Sequence, residues 1–172
     1  AAVRAAGLIT VCAALKEALD ELGVAAERVT VLRNGVDTEV FRPGDRAAAR
    51  ARLGLTGPTL VSVGHLIERK GHHVTIEALR ELAGVELMLV GEGPEEDRLR
   101  RLADRLGVAE RVRFVGALPQ AELKEYYGAA DIMVLASSRE GWANVLLESM
   151  ACGTPVVATS VWGTPEVVAA PE

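Results

Sequence analysis

A repeated alternation leaves this chain few folds to choose from: short strand-like runs, each followed by a longer helix-like segment. Thr59–Val63, Val85–Val90, Arg111–Val115, Asp131–Leu135 and Pro155–Ala158 have strand length and are rich in Val, Leu and Ile. After the first run, Val74, Ile76, Leu79 and Leu82 recur at roughly helical spacing. Pro94–Leu106 reads as a helix, with Pro94 in its first turn, Leu99, Leu102 and Leu106 on one face, and Gly107 at its end. Ala121–Tyr127 is helical and Gly128 is expected to stop it; Ala143–Cys152 is a helix ending at Gly153; Thr164–Ala169 begins another. Strand and helix in alternation, joined by short loops, predict an α/β fold: a doubly wound parallel sheet with helices on both faces. Strands that are apolar on both faces fit the buried position such a sheet imposes.

The first 44 residues differ. Leu8–Val11 and Val29–Leu32 read as strands and Ala13–Leu22 as a helix; Asn34-Gly35 turns the chain, and Phe41-Arg42-Pro43-Gly44 has the look of a linker. Residues 1–44 are therefore expected to be the tail of a preceding α/β domain, and residues 45–172 the main domain. The start at Ala1-Ala2-Val3 and the stop at Ala170-Pro171-Glu172 read as cuts through a longer protein.

Composition excludes several classes of partner. With a net charge of −5 there is no global basic field for nucleic acid or an anionic membrane, and with 3% aromatics there are few platforms for stacking bases. Cys12 and Cys152 form no metal or disulfide pattern and read as small buried thiols in a reducing, cytoplasmic compartment. No apolar run reaches the ~18–20 residues needed to span a bilayer, and no signal-peptide pattern is present.

The unusual residues fall at one place in the topology. Gly64 to Gly71 follow the first strand of the main domain, Gly91-Glu92-Gly93-Pro94 the second, Gly116 the third, Ser137 to Gly141 the fourth, and Thr159-Ser160 the fifth. All lie at carboxyl ends, which share one edge of a doubly wound sheet and border its ligand crevice. Glu140 and Glu148 stand eight positions apart and bracket a glycine and a helix start. A helix start offers free N–H groups and a positive dipole end to a phosphate. Ionised carboxylates accept from neutral sugar hydroxyls. Together they point to a sugar nucleotide.

Each residue also has a plainer reading. Lys70 at a helix start opposes the dipole, so phosphate binding explains it better than helix stabilisation. Arg69 shares that job or is simply solvated, and His65 is a structural histidine or a phosphate donor. His72 and His73 are adjacent, point apart on a helix, and are expected to be exposed. Glu148, among Val145, Leu146, Leu147 and Met150, needs a partner if buried. Glu140 alone could merely favour the helix dipole, which does not explain the pair. Gly91-x-Gly93 opens like a dinucleotide fingerprint, but Glu96 stands where the third glycine belongs, which argues against a nicotinamide or flavin site.

This ordered set resembles the retaining glycosyltransferases of family 4, which have the Rossmann-like, two-domain GT-B architecture. The family's E-x7-E element matches Glu140 to Glu148, its glycine–basic loop matches Val63 to Gly71, and its glycine loop matches Gly91-Glu92-Gly93. Met150 to Thr159, Gly163-Thr164-Pro165-Glu166, and Asn34-Gly35-Val36-Asp37 with Phe41 and Pro43 are also similar to the family. The resemblance implies transfer of a sugar from a nucleoside-diphosphate donor with retained anomeric configuration, in polysaccharide or glycolipid synthesis. Lys70 and His65 would contact the diphosphate, with Arg69 in support, and Gly64, Gly141 and Trp142 would approach it closely. Glu140 would face the donor sugar. Glu148 would take the ribose hydroxyls, with Gly91, Gly93, Val115 and Gly116 near ribose and base. It implies no metal and no cofactor, the nucleotide sugar being a substrate. The acceptor, a sugar, a lipid-linked sugar or a polysaccharide, would be held by the missing first domain, with peripheral membrane contact open for the parent protein.

Two positions depart from the family pattern. His65 stands where the family usually has Arg, and Trp162 where many members have Gly, which would reshape the donor-sugar pocket. Two other readings stay open: a nucleotide-sugar binding module without turnover, and a GT-B-like nucleotide-sugar epimerase.

Overall fold

A computed structural model describes residues 5–168. In chain order the elements are β1 (Leu8–Thr10), α1 (Ala13–Glu21), β2 (Val29–Val31), α2 (Arg46–Leu53), β3 (Thr59–Val63), α3 (His72–Ala78), β4 (Glu86–Val90), α4 (Glu96–Arg105), β5 (Val112–Gly116), α5 (Gln120–Ala129), β6 (Ile132–Leu135), α6 (Asn144–Ala151), β7 (Val156–Ala158) and α7 (Thr164–Val167). The expected end of the last helix at Ala169 lies outside the described residues.

The main sheet runs β5-β4-β3-β6-β7, every pair parallel. The chain winds from β3 outward through β4 to β5, then crosses to β6 and winds the other way to β7. The strand order therefore reverses between β3 and β6, and the carboxyl ends of those two strands open the crevice expected of such a sheet.

Alternation along the strands sorts the core into two layers. Met88 and Val90 join Val61, Val63, Met133 and Leu135 beneath α2, α5 and α6, with Ala49, Tyr127 and Leu146 from those helices. Leu87 and Leu89 face the other way, onto Ile76 and Leu79 beside α3 and Leu99 and Ala103 of α4. Each fully buried Leu or Ile is worth roughly 1.5–3 kcal/mol of transfer free energy. That second face is uncovered over β6 and β7: Leu60, Val74, Leu82, Ile132, Val134 and Val157 line an apolar groove of about 380 Å³, with Val157 57% exposed.

Several boundaries differ from the sequence reading. Gly128 does not stop α5, which runs on to Ala129. Tyr127 and Ala129 are both fully buried there, and their packing outweighs the roughly 1 kcal/mol a helical glycine costs. Pro94 sits in the turn before α4 rather than in its first turn. Helix α2 had no counterpart in the periodicity, because its face carries alanines among arginines. Its ends are nonetheless well marked: the Asp45 carboxylate accepts from the Ala48 N–H at 2.9 Å, and Gly54 closes it in the left-handed conformation. Asp131 leads into β6 rather than starting it, accepting from the Thr59 N–H at 2.8 Å and pairing with Arg46 and Arg50. Burial pushes its carboxyl up, but those donors together hold it below the usual range.

The first segment forms its own two-stranded parallel sheet, β1 with β2, against which α1 packs. It is fastened to the main domain by Glu166, whose Oε1 accepts from the Ala13 and Ala14 N–H groups at 2.7 and 3.3 Å while Oε2 pairs with Arg33 at 2.6 Å. A carboxylate from α7 thus caps the start of α1.

Candidate functional site

At the end of β3 the chain passes through Gly64 into a 3-10 turn, Glu68–Lys70, and then into α3. The loop after β6 lies beside it. The Ser138 N–H donates to the Arg69 carbonyl at 2.8 Å, which holds the two loops together across the switch point. This contact brings Lys70 to Glu140: Nζ lies 2.6 Å from Oε1, with the side chains only 18% and 10% exposed. The Ser137 hydroxyl donates to the same oxygen at 2.7 Å. Oε2 accepts from no described residue, so this carboxylate keeps acceptor capacity on that oxygen. The aliphatic end of Lys70 passes over Gly64, 3.7 Å from where a Cβ would stand.

The glycines form the floor next to this pair. Gly91 takes a φ of +142°, and a Cβ there would lie 2.0 Å from the Gly64 carbonyl oxygen, so only glycine fits. Its N–H donates to the Gly116 carbonyl at 2.8 Å, and the Gly64 N–H to Val90 at 2.9 Å. Gly93 lies against the Leu66 backbone. Gly64, His65, Gly91, Glu92 and Leu118 line a cleft of about 220 Å³. His65 is exposed at its mouth, Arg69 is exposed on the 3-10 turn, and Val115 is half-buried against the core.

Glu148 is buried, at 6% exposure, and both partners come from α5: Tyr127 Oη donates to Oε2 at 2.8 Å and Gln120 Nε2 to Oε1 at 3.0 Å. Burial and the Glu148 charge push the Tyr127 phenol far above its ordinary range, so it remains a donor. One donor per oxygen offsets the cost of burying the charge and leaves further acceptor capacity on each. Gly141 packs near Leu15 and Val11 of the first segment, and Trp142 donates its indole N–H to the Asn34 carbonyl at 3.1 Å. The Trp142 side chain is thus committed to the Asn34 turn, while its backbone lies just before the start of α6.

His72, expected to be exposed, is buried at 1%. Helix α3 begins only after Gly71, which turns His72 inward under the β3 loop and leaves Val74 outside at 46% exposure. Its Nδ1 lies 3.1 Å from Ser62 Oγ, and Nε2 has no hydrogen-bond partner. Burial pulls the imidazole down to about 4, with the Lys70 and His73 charges adding to it and the backbone of His65 and Gly64 opposing it. His73 is half-buried. Cys12 and Cys152 are both buried free thiols, as the sequence reading expects.

Sequence reasoning brought out Lys70, Glu140 and Glu148 but not their partners. Ser137 stood at the edge of the singled-out loop. Gln120 and Tyr127 are seven apart, two helical turns on one face, a spacing that would have marked a polar pair aimed at a neighbouring helix.

Comparison with known proteins gives this geometry a family. Glycosyl transferases group 1 matches residues 45–172. D-inositol 3-phosphate glycosyltransferase of Segniliparus rotundus is 40% identical over 153 residues, 83% of this chain and 34% of that protein. The Mycobacterium tuberculosis protein of the same name is 40% identical over 154 residues, 85% of this chain and 32% of its own length. Among solved structures, Anabaena HepE in complex with UDP-glucose superposes with a TM-score of 0.91 at 29% identity, over 98% of this chain and 49% of that one. Sucrose-phosphate synthase from Thermosynechococcus elongatus gives 0.83 at 32% identity, over 94% and 42%. The chain belongs to the glycosyl transferases group 1 family and has the α/β fold of GT-B glycosyltransferases. It spans about a third of the length of the curated relatives it matches. Among the described residues no helix is long and apolar enough to cross a membrane.

Proposed function

We propose that this chain forms the donor-binding half of a retaining glycosyltransferase of family 4, which moves a sugar from a nucleoside-diphosphate donor to an acceptor without a metal ion. The observation that carries the reading is the Lys70–Glu140–Ser137 cluster at the switch point, with the buried Glu148 on the helix that follows. In the transfer, the bond from the anomeric carbon to the diphosphate oxygen breaks. A bond to the acceptor oxygen forms on the same face, and the acceptor's proton leaves with the nucleotide. Lys70 and the N–H groups at the start of α6 stabilise the negative charge that gathers on the leaving diphosphate. His65, exposed at the cleft mouth, and Arg69, exposed on the 3-10 turn, supply further donors. Glu140 turns its second oxygen to the sugar hydroxyls, and Glu148 accepts from the ribose. Gly64, Gly91, Gly93, Val115 and Gly116 make the close floor under ribose and base.

The nucleotide is proposed to be a uridine diphosphate, on the strength of the HepE complexes with UDP and UDP-glucose. The acceptor is proposed to bind to the part of a longer parent protein that lies outside this chain, so the chain by itself binds donor without turnover. Calorimetric titration with UDP, GDP and ADP tests the reading. UDP is expected to bind selectively, and Lys70→Ala and Glu148→Ala to weaken it at least tenfold. Binding that is indifferent to both substitutions refutes the site.

A further inference from the structure

His72 buries a nitrogen that no described residue engages. Its side chain is 1% exposed; Nδ1 meets Ser62 Oγ at 3.1 Å, and Nε2 has no hydrogen-bond partner among the described residues. A buried polar atom left unpaired costs stability, and a leucine in its place would avoid that cost. The ring is held from two sides. Gly71 takes a φ of +69°, and a Cβ there would stand 1.9 Å from the Ala136 carbonyl oxygen, so the start of α3 is pinned against the chain leaving β6. Ser62, two residues before Gly64, holds the ring from β3.

Nε2 faces the turn that follows β3. It lies 4.0 Å from where a Gly64 Cβ would stand, and Cδ and Cε of Lys70 lie 3.7 Å from the same point. The imidazole and the lysine stem therefore bound one face of Gly64 between them. The backbone of His65 and Gly64 favours the protonated ring, and a backbone group that favours a cation turns its carbonyl to it, since an N–H would repel the charge. Carbonyls only accept, so Nε2 carries the proton, which leaves Nδ1 to accept from the Ser62 hydroxyl. Burial, with the charges of Lys70 and His73, keeps the ring neutral at pH 7, so it sets no second cation beneath Lys70. From Gly64 the lysine continues to Glu140, where Nζ lies 2.6 Å from Oε1.

We infer that His72 is a positioning residue for Lys70: its Nε2–H, aimed at the Gly64–His65 turn, fixes that turn against α3 and with it the path by which the ammonium reaches Glu140 and the donor diphosphate. The role rests on the donor-site reading above. It is tested by titrating the unaltered chain, His72→Gln, His72→Asn and His72→Leu with UDP at pH 7, with a melting temperature for each. The Gln amide nitrogen reaches the place of Nε2, Asn reaches only as far as Nδ1, and Leu fills the space without a polar atom. His72→Gln is expected to bind UDP within about threefold of the unaltered chain. His72→Asn and His72→Leu are expected to lose about tenfold, the worth of one hydrogen bond, whatever their melting temperatures. If affinity follows melting temperature across the three, or His72→Leu binds as the unaltered chain does, the ring only fills space and the assignment is overturned. Nitrogen NMR of the unaltered chain needs no variant to fold. It is expected to show Nε2 protonated and Nδ1 bare, with the Nε2 signal moving when UDP is added; the opposite tautomer, or a signal that UDP leaves in place, overturns the role. In those cases UDP binding by the unaltered chain leaves the donor site standing. If the unaltered chain binds no UDP, the donor site falls and the role of His72 with it.

Discussion

Removing one partner of the Lys70–Glu140 pair tests whether the site is assembled around a true charge pair. Lys70→Met keeps the aliphatic stem over Gly64 and deletes only the charge. Glu140 is then left 10% exposed with a single neutral donor, Ser137, in place of two donors. Breaking a fully buried pair costs roughly 3–5 kcal/mol. Lys70 keeps 18% of its side chain in water, so the expectation lies lower, about 2–3 kcal/mol. Glu140→Gln alone leaves an ammonium that can turn to solvent and costs about 1–2 kcal/mol. The double variant removes both charges, so it is expected to be more stable than the sum of the two losses by about 1–2 kcal/mol. Urea unfolding at neutral pH measures this directly: with a slope of roughly 1–3 kcal/mol per molar, Lys70→Met shifts the midpoint by about 1 M. If the two substitutions are additive to within about 0.5 kcal/mol, the contact carries no energy and the pairing argument fails.

Acid is expected to destabilise the fold through His72. The unfolded imidazole takes its proton near 6.5 and the folded one only near 4, so stability is unaffected above pH 6.5 and declines as pH falls between those values. The full loss is about 3 kcal/mol; urea midpoints from pH 7 to 4 should show it, and a His72→Gln profile with the same slope would refute it. Tyr127→Phe removes one of two donors to the buried Glu148 and should cost about 1–3 kcal/mol by the same assay, whereas a neutral result would mean Glu148 is not buried as described. Glu166→Ala uncaps α1, and faster amide hydrogen exchange at Ala13 and Ala14, with the main sheet unchanged, is the expected signature.

The sheet was legible because its strands are apolar at nearly every position, and a parallel order with reversal follows once helices must cross between them. The glycines at the carboxyl ends were legible for a local reason as well: Gly91 meets a backbone oxygen. What the sequence hid were contacts between distant segments. Tyr127 and Gln120 reach Glu148 across 21 and 28 residues, and no local pattern announces it. His72 was misread because the helical phase of α3 depends on where Gly71 starts it. Helix α2 was missed because its stability comes from a cap and from packing on α5, with little amphipathic signal. Trp162 holds a positive φ of 47°, a backbone angle that residue type alone does not reveal.

The switch point also says something about how the molecule comes together. Strands β3, β4 and β5 and the layer under α3 and α4 use contacts close along the chain. The partners on the other side of the seam are remote: Leu60 pairs with Ile132, and Lys70 meets Glu140 across 70 residues. Closing so long a loop is entropically costly and becomes favourable only once both flanks are formed, so such contacts come late. The ligand crevice is therefore the last joint to close in folding. A nucleotide that spans it would act on the unfolding rate more than on the folding rate.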